Sequence, residues 1–108
     1  MDESSFNQLA DATLTAIEAA LAEFDGDLDY EIKPGGVIEI ECDDGSKVIV
    51  NRHTAAREIW VAARSGGFHF RHDGKAWVDT RAGTPLKESL ERCLSQQTGS
   101  DVHLQGAF

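Results

Sequence analysis

Between Met1 and Ile32 there is no lysine or arginine, and the whole chain has only 10 of these residues against 19 aspartates and glutamates. Nucleic acid is therefore not an expected ligand, because phosphate binding depends on clustered basic side chains that release counterions. Cysteine is also scarce. Cys42 and Cys93 stand outside any Cys-x-x-Cys or Cys/His cluster, so both read as small buried apolar side chains, with no support for zinc or a disulfide. No run of 18 apolar residues occurs, which leaves no candidate membrane span. The opening MDESSFNQ lacks the basic and apolar regions of a secretory signal and the arginines of a transit peptide. A cytoplasmic protein with reduced thiols is the expectation. With only two prolines and 41% hydrophobic residues, the chain fits one domain over residues 1–108.

What is present is acid, placed unevenly. Residues 1–46 hold 13 acids and one base, Lys33, whereas residues 47–108 hold 6 acids and 9 bases. Phe6, Leu9, Ala10, Thr13, Leu14, Ile17, Leu21 and Phe24 recur at helical spacing, which predicts an amphipathic helix from about residue 4 to 23, with Ser5 and Gln8 as a capping box and Gly26 as its stop. The period then changes to two: Leu28, Tyr30 and Ile32 alternate with Asp27, Asp29 and Glu31. The turn Pro34-Gly35-Gly36 follows, then a hairpin of VIEIEC and KVIVN around DDGS. Further strands are expected at EIWVAA, FHFR and KAWVD. Thr84 as cap and Pro85 as first residue open a second helix with an apolar stripe of Leu86, Leu90, Cys93 and Leu94, ended by Gly99. Val102 and Leu104 are expected to pack on the body, with a mobile end beyond them. Helix, consecutive strands, helix implies an α+β two-layer sandwich, both helices on one face of an antiparallel sheet of five to six strands.

On a helical wheel Glu3, Asn7, Asp11 and Glu18 fall within roughly 80° of one another and flank the apolar face. Glu23, Asp25, Asp27, Asp29 and Glu31 continue the acids into the first strand, so an edge position for that strand would give one ridge. A solubilising face is the plain alternative, but such faces usually intersperse both signs. Unpaired like charges repel, and a cation relieves them. Oxygen ligands without thiolates or paired imidazoles suit hard ions, with iron, calcium, magnesium and manganese all open. An EF-hand at DGDLDY is rejected because Tyr30 and Gly36 stand where the loop requires Gly and Glu. Same-face strand residues lie about 6.6 Å apart, which favours weak, multiple, exposed sites over one tight one.

His53, His69, His72 and His103 have poor spacing for metal or catalysis: His69 and His72 should point to opposite faces, and no nucleophile stands beside either. Gly66 and Gly67 read as a turn. Ile59, Val61 and Ala63 should face the helices, which places Trp60 on the uncovered face near Asn51 as a candidate interface anchor, with partial burial by neighbouring long side chains as the alternative. Alternation does not assign the face of Trp77.

The stretches NRHTAAREIWVAARSGGFHF and DGKAWVDTRAGTPLKESL, with SFNQLADATL, LAEFDGDLDYEI and GGVIEIECDDGSKVIVN before them, resemble the frataxin family in its bacterial CyaY branch. The resemblance spans nearly the whole chain and implies the same two-layer sandwich. It further implies a non-enzymatic role in iron–sulfur cluster assembly: weak binding of ferrous and ferric iron on an acidic ridge, other divalent cations remaining eligible, and docking to a cysteine desulfurase and its scaffold protein to regulate them or supply iron. The matching ridge positions are Glu3, Asp11, Glu18, Glu23, Asp25, Asp27, Asp29 and Glu31; the partner positions are Glu18, Glu23, Asp25, Asp27 and Asp29 with Asn51 and Trp60 on the sheet face. Asn7 stands where some bacterial members have a histidine ligand, His53 and Glu58 replace glutamines, and Ala55 replaces a proline. A monomer is expected, with iron-driven oligomers left open. Two competing readings are a metal-indifferent acidic docking module and a ferroxidase, although the closely held Glu and Glu-x-x-His ligands of the latter are not visible.

Overall fold

The computed structural model describes residues 1–108. Helix α1 (Glu3–Glu23) precedes six strands, β1 (Leu28–Lys33), β2 (Val37–Cys42), β3 (Lys47–His53), β4 (Glu58–Ala63), β5 (Gly66–His72) and β6 (Trp77–Asp79), and helix α2 (Leu86–Thr98) closes the set. A 3-10 turn, Thr54–Ala56, joins β3 to β4. The strands pair antiparallel in chain order, which leaves β1 and β6 at the edges. Six strands resolve the expected five to six, and both helices contribute to one core with a single sheet face.

The helix ends differ in detail from the sequence expectation. Asp2 caps α1, its carboxylate accepting the Ser5 N–H at 2.7 Å, so there is no Ser5/Gln8 box. A carboxylate there accepts the cap bond and also meets the positive helix end, and the Ser5 hydrogen bonds hold the Asp2 carboxyl below its usual range. α1 stops at Phe24, before Gly26. Pro85, not Thr84, is the cap residue of α2 and makes no side-chain cap bond; the Thr84 carbonyl instead accepts from Asp79 N–H. Gly99 ends α2 in the left-handed region (φ 75°), a conformation glycine adopts without steric cost.

Strand alternation sends Ile38, Ile40, Cys42, Val48, Val50, Ile59, Val61 and Phe70 to the helix side. They join Phe6, Ala10, Ile17 and Leu21 of α1 and the expected α2 stripe in a core of 21 buried residues. Trp77 faces this core: its Nε1–H donates to Thr13 Oγ1 at 2.9 Å, and its ring meets Phe6 edge-on at 5.9 Å. That pair ties the start of α1 to the β6 edge. Val102 and Leu104 are buried, and the end of the chain stays packed: Phe108 lies against the core with Lys87 Nζ 5.6 Å from its ring centre.

The sheet outreaches the helices on the β1 side. Leu28, Tyr30 and Ile32 pair with Cys42, Ile40 and Ile38, so they lie on the core-facing side. Tyr30 and Ile32 are nevertheless 36% and 49% exposed, because no helix covers them. This overhang positions the acidic surface.

Candidate functional site

The carboxylates of α1 and β1 form two banks on either side of the edge strand. Asp29 and Glu31 alternate with the core-facing residues of β1 and so project from the opposite face of the sheet, while Glu3, Asp11 and Glu18 lie in the helix layer. Between α1 and the core-facing side of β1 runs a cleft of ≈ 230 Å³ whose walls include Asp11, Leu14, Glu18, Ile32 and Arg52. The continuous ridge expected from the sequence is thus interrupted by Tyr30 and Ile32.

Within the helix bank the charges are not equivalent. Asp11 pairs with the guanidinium of Arg52, which arrives from β3 and also donates from Nη1 to Asn7 Oδ1 at 3.5 Å. Arg52 reaches α1 past Gly36, where a Cβ would stand 2.9 Å from Arg52 Nε, and Gly36 has φ +78°. A base distant in sequence therefore neutralises one member of the stripe. Glu3 is exposed and Glu18 half-buried, and neither forms an ion pair.

In the strand bank, Glu31 lies opposite Glu39 and Asp29 opposite Glu41. Like charges facing each other across strands are destabilising. The repulsion at the first pair is offset by Lys33, 3.9 Å from Glu31 and 3.2 Å from Glu39, and by Lys47, 2.8 Å from Glu39. The Lys47 hydrogen bond, then that of Lys33, pulls the Glu39 carboxyl below its ordinary value, and Glu39 raises that of Lys47. Asp29 has no such partner.

The densest uncompensated charge lies where α1 turns into β1. Glu23, Asp25 and Asp27 are exposed and form no ion pair. Asp25 and Asp27 share a cleft of ≈ 300 Å³ with Asp43, Thr98, Ser100 and Asp101. Both helices end at this cleft, and neither has a basic residue in its last turn. Their negative dipole ends thus add to the four aspartates. Asp43 and Asp101 escaped the sequence reading, one as a turn residue and the other as tail. The signal that would have found them is topological: two helices ending on one side bring the β2–β3 turn and the chain after Gly99 to the same end. Across the whole chain no three His, Cys, Asp or Glu side chains converge closely enough to hold a metal ion in a common shell.

Asn51 and Trp60 are directly opposed on β3 and β4, on the face away from the helices. Trp60 is half-buried and lies between two imidazoles, His53 at 3.9 Å and His69 at 4.5 Å, each within 10° of parallel. Its Nε1–H donates to Glu58 Oε1 at 2.8 Å, and Glu58 Oε2 accepts from Arg71 Nε at 3.1 Å. The indole is thus partly buried, by the two stacked histidines and by Glu58 on its Nε1–H. A partner would meet the rim of this stack and Asn51. His72 lies on the other side of the sheet, edge-on to Trp77, which separates it from His69 as alternation requires.

A small α+β protein with two helices on one side of an antiparallel sheet, an acidic helix–strand edge and a polar open face is the class these features define. Residues 1–100 match the family profile of the frataxin-like domain, and the chain belongs to this family. It is 57% identical over 105 residues, covering 97% of this chain and 100% of the relative, to the iron-sulfur cluster assembly protein CyaY of Dechloromonas aromatica. Among solved structures it resembles the frataxin of Psychromonas ingrahamii (TM-score 0.88, 27% identity, 98% and 100% of the two chains). It also resembles the trimeric yeast frataxin complexed with ferrous iron (TM-score 0.60, 25% identity, 88% of each chain).

Proposed function

We propose that this protein serves iron–sulfur cluster assembly by binding ferrous and ferric iron weakly through Glu18, Glu23, Asp25, Asp27 and Asp29, with Glu3 and Glu31 as outlying ligands and Asp11 held back by Arg52. Residues 1–108 act as one cytoplasmic domain, a monomer that iron can bring together. The observation that carries the reading is the set of exposed, unpaired carboxylates beside two helix ends that lack basic residues. Carboxylate oxygens suit iron and other hard cations, and their failure to converge favours loose, exchangeable occupancy. The iron-sulfur assembly relative and the ferrous-bound yeast frataxin support the same cargo and pathway.

The same charges suit a basic surface on a cysteine desulfurase or its scaffold protein. Iron and partner then compete where they overlap, so that iron supply regulates docking. No catalytic role is assigned: loosely held iron is poorly placed for ferroxidase chemistry, which needs closely held ligands. A cluster-formation assay with purified desulfurase and scaffold, run across iron concentrations, tests this reading. The expected result is an effect of the protein that varies with iron and disappears in the Asp25→Lys/Asp27→Lys/Asp29→Lys variant. An effect of equal size in that variant, or none in the wild type, contradicts it.

One observation favours a complementary contact that needs no metal. Asn51 and the Trp60 stack form a built polar–aromatic patch separate from the acidic end. Asn51→Ala is expected to weaken scaffold or desulfurase binding at least several-fold while leaving the iron titration unchanged.

A further inference from the structure

At the end of α1 remote from the acidic cleft, this acidic chain has a pocket lined by bases. It has a volume of ≈ 270 Å³ and its walls are Met1, Ala56, Arg57, Arg71 and His72. No carboxylate, amide or hydroxyl side chain lines it, so its charged side chains offer donors only. Two of the chain's 10 Lys and Arg residues meet there.

Each basic residue is held by local structure. Arg57 terminates the 3-10 turn after β3 with φ 57° and ψ 43°, the one non-glycine residue in the chain with positive φ. Its backbone N–H and its guanidinium both donate to the Thr54 carbonyl, which fixes the side chain against the turn. A non-glycine residue in the left-handed region carries a steric cost that glycine or asparagine would avoid. Arg71 is anchored through Nε to Glu58, whose other oxygen is occupied by Trp60 Nε1–H, which leaves the terminal nitrogens of Arg71 as unspent donors. His72 accepts the Gly74 N–H at Nδ1 (3.1 Å), and this fixes the neutral ring as the tautomer with its proton on Nε2. Asp2, whose carboxyl is held low first by its Ser5 hydrogen bonds and least by Arg57, is already engaged in capping α1.

We infer that this pocket binds a small oxyanion bearing phosphate or carboxylate groups. Two arginines and a histidine line it, Arg71 and His72 from opposite faces of β5, and planar guanidinium forks match the paired oxygens of either group. Its volume lies below the usual range for sites that enclose drug-sized ligands, which suits a compact anion over a nucleotide. The pocket thereby gives the molecule an anion site at one end and a cation surface at the other.

Titration of the full-length protein with inorganic phosphate, citrate and, at matched ionic strength, chloride tests this, read from backbone amide shifts. Saturable shifts confined to residues 54–57 and 71–74 are expected with phosphate or citrate but not with chloride, and the tighter of the two identifies the preferred group. Arg57→Gly, which keeps the backbone conformation and relieves its strain, should weaken binding tenfold or more while melting no lower than wild type. Arg71→Gln should weaken it similarly, and Asp25→Asn not at all. Shifts that fail to saturate, that chloride reproduces, or that persist with equal affinity in Arg57→Gly and Arg71→Gln would overturn the site.

Discussion

Asp11 and Asp25 carry the same carboxyl group in different settings. Asp11 faces Arg52, whereas Asp25 lies with three other aspartates beside two helix ends. Asp11→Asn should therefore change ferrous binding less than Asp25→Asn, as measured by parallel iron titrations. In urea, Asp11→Asn should cost up to about 1 kcal/mol, the scale of a partly exposed ion pair, while Asp25→Asn should leave stability equal or higher because it removes a repulsive charge. Glu39 gives a pH signature. Its folded value is depressed by Lys47 and Lys33 from the ordinary 4.5, so its contribution to stability is fully present above that value and is lost as the pH falls below it. Glu39→Gln should flatten part of the decline in urea midpoint seen on acidification from about pH 6 to pH 3.

At the level of elements, Gly36 joins the turn before β2 to Arg52, accepting its backbone N–H at 3.1 Å and leaving room for its side chain. Alanine there would meet the Arg52 side chain and occupy a left-handed backbone, at φ +78°. Gly36→Ala should cost about 1–3 kcal/mol by urea unfolding, with a weaker Asp11–Arg52 contact visible as altered side-chain signals of Arg52. The periods of 3.6 and 2 made the two helices, the six strands and the burial of Ile59 and Val61 legible, because each residue's face follows from local geometry. The same alternation correctly placed Asn51 and Trp60 together on the open face. It could not show that His53 and His69 would enclose Trp60, since stacking across three strands depends on register and rotamers. Nor could it show Arg52 reaching Asp11 over 41 residues of sequence, or Gln97 of α2 joining Ser46 and Arg64 of two different turns. The break in the ridge was half legible: alternation set Tyr30 and Ile32 on the face opposite the acids, but only the structure shows that face to be the helix side, left uncovered by the overhang of β1.

At the scale of the whole molecule, the clefts at the two ends of the helix layer differ in charge. Four aspartates and two helix C-termini occupy one end, and Arg57, Arg71 and His72 lie near the start of α1. With a net charge of -9, self-repulsion opposes the folded state. Sodium chloride at about 0.15 M should raise the thermal midpoint by shortening the screening length to about 8 Å. A hard divalent cation should raise it at much lower concentration, and the Asp25→Lys/Asp27→Lys/Asp29→Lys variant should lose that extra gain. The most direct measurement is an anaerobic ferrous titration followed by backbone amide spectra of the wild type and this triple variant. Progressive loss of signals from residues 23–31, in fast exchange and largely absent in the variant, is expected. Signal loss centred on His53 and His69, or an unchanged response in the variant, would contradict it.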